Sequence, residues 1–203
     1  MQAPSHLIIG WFIGEACGLR TPRLRRIVAL AGLASDLDVL AYIGAFFYFG
    51  LDIDRAFLFA HQAVHHHYTH GLGFVFLAGL VAWLYVLARG PGLADGLAAP
   101  PQRGSSAAKA GFLAAVAVTV HIFCDLIGSG SDWPIYPLWP LSNLCWGLSW
   151  SWTLGEWPNV VIMYLLLAAG LFYGRRAGHS FLESINYRMD RWMVGILQTG
   201  TDK

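Results

Sequence analysis

Residues 110–127 read AGFLAAVAVTVHIFCDLI, an apolar stretch whose only charged or imidazole side chains are His121 and Asp125. A helix that spans a bilayer needs about 20 apolar residues, and about 17 is the lower limit. His121 and Asp125 lie one turn apart and therefore share a helix face. Ionisable side chains inside a span are costly and are candidates for function. The stretch predicts a membrane helix with a polar functional face.

The rest of the chain follows the same pattern. Only 12% of its residues are charged, against about 25% in soluble domains, and the mean hydropathy is +0.51. The net charge of +1 argues against nucleic acid as a partner. We predict an all-α polytopic membrane protein of about four or five transmembrane or half-membrane helices. The other apolar stretches are residues 6–18, 27–50, 71–88 and 160–173.

The C-terminal part differs from these stretches. Apolar residues recur at helical spacing over residues 179–198, which predicts an amphipathic helix there. We therefore divide the chain into a transmembrane domain, residues 1–174, and a cytoplasmic segment, residues 175–203. His179 and Glu183 are expected on the surface of that segment. Residues 128–158 are rich in Pro and Trp and predict an ordered, irregular loop at the membrane surface.

Lys and Arg residues set the expected orientation. They concentrate in alternate connections, around residues 20–26, 89–109 and 175–176. Basic connections face the cytoplasm in most inner-membrane proteins. The N-terminus and the two remaining connections are therefore predicted to face outward.

The rise per residue of an α-helix then predicts which polar side chains lie at the same depth in the membrane. His6 and Asp36 are each about 15 residues from the basic turn at Thr21, or about 22 Å at 1.5 Å per residue. His70 opens the third apolar stretch from the outer side, and Asp125 closes the fourth there. We expect these groups to converge in the outer half of the membrane: His6, Asp36, His70, His121 and Asp125.

Imidazole and carboxylate together are the ligand set of zinc, manganese or iron. Other interpretations stay open at this point. His121 and Asp125 can form a plain hydrogen bond in a helical core. His65, His66 and His67 can form a solvated segment, and Asp36 and Asp38 can cap a helix.

Several short motifs occur in a fixed order. They are His6 near the start, Ser35-Asp36-Leu37-Asp38, His65-His66-His67-Tyr68-Thr69-His70, His121 with Asp125, and Tyr136-Pro137-Leu138-Trp139-Pro140. The ordered set over residues 5–145 resembles the family of bacterial inner-membrane, metal-dependent hydrolases, some of which are LexA-regulated. The chain departs from the family pattern at three places: Ser35 replaces a proline, His66 and His67 replace Arg-Gly, and Gly71 replaces a serine. An arginine can bind a phosphate or a carboxylate, so its loss implies different substrate contacts here.

The resemblance implies a metal site with a hydrolytic role. When the family's metal-site residues are transferred by position to this chain, they correspond to His6, Asp36, Asp38, His65, His70, His121 and Asp125. All but Asp38 are expected to be metal ligands, for one or two divalent ions, first of all zinc. Asp38 is expected to act as a general base or to orient a ligand histidine. Which of His61, His65, His66 and His67 is a ligand stays open. The order of ligands is also similar, more loosely, to that of zinc-dependent phospholipase C.

The expected activity is hydrolysis of an ester or phosphoester in an amphiphilic substrate from the outer leaflet, with membrane lipids as partners. The Trp-rich loop (Trp133, Trp139, Trp146, Trp150 and Trp152) would cover the site. The alternatives are a di-iron oxygenase with histidine boxes, a metal transporter or sensor, and a haem protein. Iron content with an oxygen requirement, metal flux in proteoliposomes and a Soret band would distinguish them.

Overall fold

A computed structural model describes residues 1–64, 66–92 and 102–199 of the chain. Its described residues are almost entirely helical, and their β-structure is one isolated bridge between Ile135 and Trp146. The predicted all-α fold is confirmed. The α-helices are α1 (Ala3–Ala16), α2 (Pro22–Ala34), α3 (Leu40–Tyr48), α4 (Ile53–Ala63), α5 (Leu72–Arg89), α6 (Arg103–Gly128), α7 (Trp157–Ala177) and α8 (Tyr187–Thr199), and Ser35–Val39 and Phe181–Ser184 are 3-10 helices.

Four helical runs of the described chain are long and apolar enough to cross a membrane: Pro22–Tyr48, Leu72–Arg89, Arg103–Gly128 and Trp157–Ala177. The first run joins α2 to α3 through the 3-10 helix Ser35–Val39, which contains Asp36 and Asp38. Helix α1 has 14 residues and is about 21 Å long, which is short of a hydrocarbon core of about 30 Å. The described fold therefore combines spanning helices with shorter ones, as predicted.

Glycines allow close contacts between neighbouring helices. A Cβ at Gly32 of α2 would lie 2.8 Å from the carbonyl oxygen of His6 on α1. A Cβ at Gly111 of α6 would lie 2.8 Å from the carbonyl oxygen of Gly79 on α5. Small residues permit this backbone approach in membrane helices, where van der Waals packing and hydrogen bonds drive association. Helices α1 and α2, and α5 and α6, are therefore tightly packed pairs.

A buried ion pair joins the C-terminal part to the first two helices. Arg25 Nη2 donates to Glu183 Oε2 at 2.9 Å, and Trp11 Nε1 donates to Glu183 Oε1 at 2.8 Å. Glu183 is only 3% exposed, so its predicted place on the surface is wrong. The carboxylate is buried because Arg25, far away in sequence, provides its counter-charge.

The C-terminal helix begins later than predicted. Residues 179–198 were expected to form one helix, but Phe181–Ser184 is a 3-10 helix and α8 starts at Tyr187. The side chain of Asn186 accepts hydrogen bonds from the backbone N–H groups of Arg188 and Met189, at 2.9 and 3.2 Å. Asn186 thereby caps the first turn of α8. The domain division at residues 174 and 175 stays a prediction.

The loop between α6 and α7 packs against the start of α5. The N–H of Leu72 donates to the carbonyl of Pro137 at 3.0 Å, and that of Gly73 donates to the carbonyl of Trp139 at 2.9 Å. A Cβ at Gly71 would lie 2.9 Å from the carbonyl oxygens of both Tyr136 and Trp139. The loop is thus held in place beside His70.

The α5–α6 contact predicts a difference between two otherwise identical substitutions. Gly111→Ala should destabilise the protein by about 1–3 kcal/mol, because its Cβ would overlap backbone atoms of α5. Gly104→Ala, in the same helix, has no atom within 4 Å of its Cβ. It should be neutral, or stabilising by up to about 1 kcal/mol. Thermal unfolding in detergent measures both, and equal melting temperatures would contradict the close approach.

Candidate metal centre

The carboxylate of Asp125 lies at the centre of three histidines from three parts of the chain. His6 Nε2 is 3.0 Å from Oδ1, while the Nε2 atoms of His70 and His121 are 3.1 and 3.0 Å from Oδ2. All four residues are at most 3% exposed. Such a group cannot be a solvated surface cluster. It is a polar centre enclosed by helices.

Helix α2 orients the imidazole of His121. The Nδ1 of His121 is 2.6 Å from the carbonyl oxygen of Gly32. A carbonyl only accepts hydrogen bonds, so Nδ1 carries the proton. In the neutral ring the lone pair then lies on Nε2, which points to Asp125. A backbone carbonyl that fixes the tautomer in this way is typical of metal-ligating histidine.

Thr69 and Asp38 lie beside the other ring nitrogen of His70. Its Nδ1 lies 3.5 Å from Asp38 Oδ2 and 3.1 Å from Thr69 Oγ1. Asp38 Oδ2 also accepts a hydrogen bond from the backbone N–H of His66 at 3.0 Å. Burial lowers the pKa of His70, which favours the neutral ring that a metal requires. Asp38 is therefore placed behind a ligand candidate.

The donor atoms form two overlapping groups. One contains His6, Asp36, His121 and Asp125, and the other contains His66, His70 and Asp125. Within each group the donor atoms lie within 4.8 Å of one another. Asp125 belongs to both groups, and its two carboxylate oxygens face different members. Asp125 is therefore a candidate ligand in both groups.

His66 enters the site through an unusual backbone conformation. Its φ angle is +59°, which is uncommon for a residue other than glycine. Its Nδ1 lies 3.3 Å from the carbonyl oxygen of Trp133, and its Nε2 lies 3.9 Å from Asp125 Oδ2. Backbone outliers of this kind cluster at functional sites. The sequence prediction favoured His65 and did not single out His66.

The structure places the predicted site residues as follows. His65 lies outside the described residues, so its role stays a prediction. Asp38 lies beside the centre, behind His70. His61 and His67 are not in either group: His61 stacks on Phe57, and His67 stacks on Tyr136. The remaining predicted ligands come together in one place: His6, Asp36, His70, His121 and Asp125.

Two polar atoms of the centre are unpartnered within the described part of the chain. They are His6 Nδ1 and Asp36 Oδ2, both buried. In addition, the Nε2 atoms of His70 and His121 face each other at 3.1 Å. Two lone pairs at this distance repel unless a proton or a cation lies near both. The amino group of Met1, a cation, donates to Asp125 Oδ1 in this structure.

These features fit a divalent metal ion. Imidazole nitrogen and carboxylate oxygen are the ligands that zinc, manganese and iron take in proteins. Buried polar groups are normally paired, and a bound cation would pair those that have no partner. The side chain of Asp36, at 26% exposure, is the most accessible of the candidate ligands. Access to the centre is therefore expected along the 3-10 helix Ser35–Val39.

Comparison with known proteins supports the location of the chain. No curated protein and no solved structure matches it. A family model described as YdjM inner membrane protein matches residues 1–195. The match confirms the predicted inner-membrane location, and metal binding and hydrolysis stay predictions. The chain belongs to the YdjM inner membrane protein family.

Proposed function

We propose that this protein is a membrane-embedded, metal-dependent hydrolase that acts on an ester or phosphoester of an amphiphilic substrate. The observation that carries the proposal is the pair of buried His/Asp groups that share Asp125. A plain structural hydrogen bond needs only one histidine beside a carboxylate. Here three imidazoles surround a single carboxylate within about hydrogen-bond distance, as ligands around a metal site would.

The proposed ligands are the members of the two groups: His6, Asp36, His66, His70, His121 and Asp125. Zinc fits this mixed nitrogen and oxygen set, and manganese or iron are the other candidates. When bound, such an ion supplies Lewis acidity, which polarises a substrate oxygen and lowers the pKa of water. His65 stays a candidate ligand beside His66.

The chain's own residues prepare the site for this chemistry. Gly32 accepts the Nδ1 proton of His121, and Thr69 Oγ1, which donates to Asp38, lies 3.1 Å from Nδ1 of His70. Both Nε2 atoms therefore face the centre. Asp38 is proposed as a positioning residue. A role as general base, with the carboxylate taking a proton from the attacking water, is the alternative for the same residue.

The surroundings of Asp36 favour an amphiphilic substrate. Its neighbours Leu37, Val39 and Leu40 are each more than half exposed, on a helical run long and apolar enough to span a membrane. In a bilayer these side chains face lipid. A substrate whose apolar part lies among lipid chains can bring its polar group to Asp36 without leaving the membrane.

The positive-inside rule suggests the side on which the centre opens. Arg103 and Asp125 stand near opposite ends of α6, about 33 Å apart at 1.5 Å per residue. The basic connections contain the arginines at the start of α2 and those at the ends of α5 and α7. When the basic connections lie in the cytoplasm, the centre faces the periplasm and takes its substrate from the outer leaflet.

Metal content gives the first prediction. The full chain, purified in detergent without chelators, should contain one or two equivalents of zinc, manganese or iron by mass spectrometry. The double variant His121→Ala/Asp125→Asn should lose most of this metal, because it removes a member of both groups. His179→Ala is the matched control, since His179 lies near the basic end and pairs with Glu15 at 3.1 Å.

The control variant should keep the wild-type metal content. Wild-type protein without bound metal, even after incubation with each ion, would contradict the proposal. Equal metal in wild type and in the double variant would show that the ion binds elsewhere.

Hydrolysis gives the second prediction. The metal-loaded protein in mixed micelles should cleave a phosphoester or carboxylic ester with a long acyl chain. It should act more slowly on a soluble analogue with the same polar group. Removal of metal with a chelator should abolish turnover, and the ion found in the purified protein should restore it. Turnover that persists in the chelated protein would exclude metal-dependent hydrolysis.

Asp38→Asn separates the two roles of Asp38. As a positioning residue, Asp38 should raise metal affinity through His70, so the variant should bind metal about 10–100-fold more weakly. Its kcat at saturating metal should then approach that of the wild type. As a general base, Asp38 should leave metal affinity unchanged and lower kcat about 100-fold or more. Metal titration with steady-state kinetics distinguishes the two outcomes.

A further inference from the structure

A cavity lies away from the candidate metal centre, between helices α2 and α5. Its volume is about 1050 Å³, and most of its lining residues are apolar. Its floor consists of alanines on both helices, among them Ala31, Ala34, Ala78 and Ala82. Small side chains at these positions leave the space between the larger side chains open. No proposed metal ligand lines this groove, so it is distinct from the site described above.

The groove is apolar along its length and basic at one end. Leu30, Phe74 and Leu77 line its walls toward the end of α2 and the start of α5. Arg23, Arg26, Tyr85 and Tyr187 line the other end. From Arg23 to Ala34 the groove follows α2 for about 16 Å, at 1.5 Å per residue. This length is about half of a hydrocarbon core, the depth of one leaflet.

The basic end carries positive charge that the protein does not itself neutralise. Arg26 is exposed, and no described residue forms a hydrogen bond or ion pair with its guanidinium. Arg23 is held in place, because its Nη1 donates to the carbonyls of Arg89 and Gly90 at 3.1 and 3.4 Å. The nearby carboxylate of Glu183 is already bound by Arg25 and Trp11. The two arginines can therefore act together on an anion.

We propose that this groove binds an anionic phospholipid from the leaflet at the basic end of the protein. Its phosphate lies at Arg26 and Arg23, and one acyl chain extends along the alanine floor toward Ala34 and Phe74. Arginine binds phosphate oxygens in a bidentate manner. Basic pockets between membrane helices on the cytoplasmic side bind anionic headgroups in this way. Tyr85 and Tyr187 lie at headgroup level, where tyrosine is enriched.

Native mass spectrometry of the detergent-solubilised full chain tests the proposal. Dioleoyl phosphatidylglycerol should bind at one saturable site, and dioleoyl phosphatidylcholine should bind at least about fivefold more weakly. Arg26→Gln should weaken phosphatidylglycerol binding about fivefold, the effect expected for one basic residue near an anionic headgroup. Arg26→Lys should recover part of that loss. Arg175→Gln, an exposed arginine at the same end on α7, should leave binding unchanged.

Two further variants test the apolar part of the groove. Ala78→Phe fills the floor, and Leu30→Trp narrows the wall from an exposed position. Either variant, if it keeps the wild-type melting temperature, should weaken binding at least about tenfold without any change of charge. Equal binding of the two lipids, or unchanged binding in both groove variants, would overturn the proposal. Binding of glycerol 3-phosphate as tight as that of the lipid would also overturn it, since the acyl chain in the groove would then contribute nothing to binding.

Discussion

The contact between α1 and α2 at Gly32 is the constraint on which the candidate metal centre depends. A Cβ at this position would overlap the carbonyl oxygen of His6, so only glycine allows the two backbones to approach so closely. The carbonyl of the same glycine binds Nδ1 of His121 on α6. One residue thus fixes the height of His6 and the tautomer of His121. His6 and His121 come from helices that are distant in sequence. The backbone contacts of Gly32 place both imidazoles beside Asp125.

The electrostatic cost of the centre supports the proposal that a cation binds there. Asp38 and Asp125 are buried, Asp36 lies 3.8 Å from His121 Nε2, and burial of carboxylates without pairing is expensive. Four histidines reduce this cost only if they carry protons, and protonated imidazoles have no lone pair for a metal. The proposed divalent ion would resolve the conflict, because it would neutralise the carboxylates and use the neutral rings. Metal binding and the stability of the helix bundle would then be linked, since the ion would bind only the folded arrangement.

Much of this architecture could be predicted from hydropathy and helix rise. The four spanning runs follow from apolar length, and counting residues from the basic turn placed His6 and Asp36 at one depth. The same counting could not find His66, which reaches the centre through a positive φ that no sequence pattern specifies. It also missed α4 and the burial of Glu183, because both depend on tertiary partners. The carbonyls of Gly32 and Trp133 were invisible for the same reason, since any residue can provide a backbone acceptor.

Small residues of helix α2 take part in both sites. On one face Gly32 and Ala29 approach α1 beside the candidate metal centre, and on another Ala31 and Ala34 line the groove. Larger side chains on the first face would separate the helices, whereas larger ones on the second would fill the proposed lipid site. The two faces therefore constrain the sequence independently, although they lie on one helix.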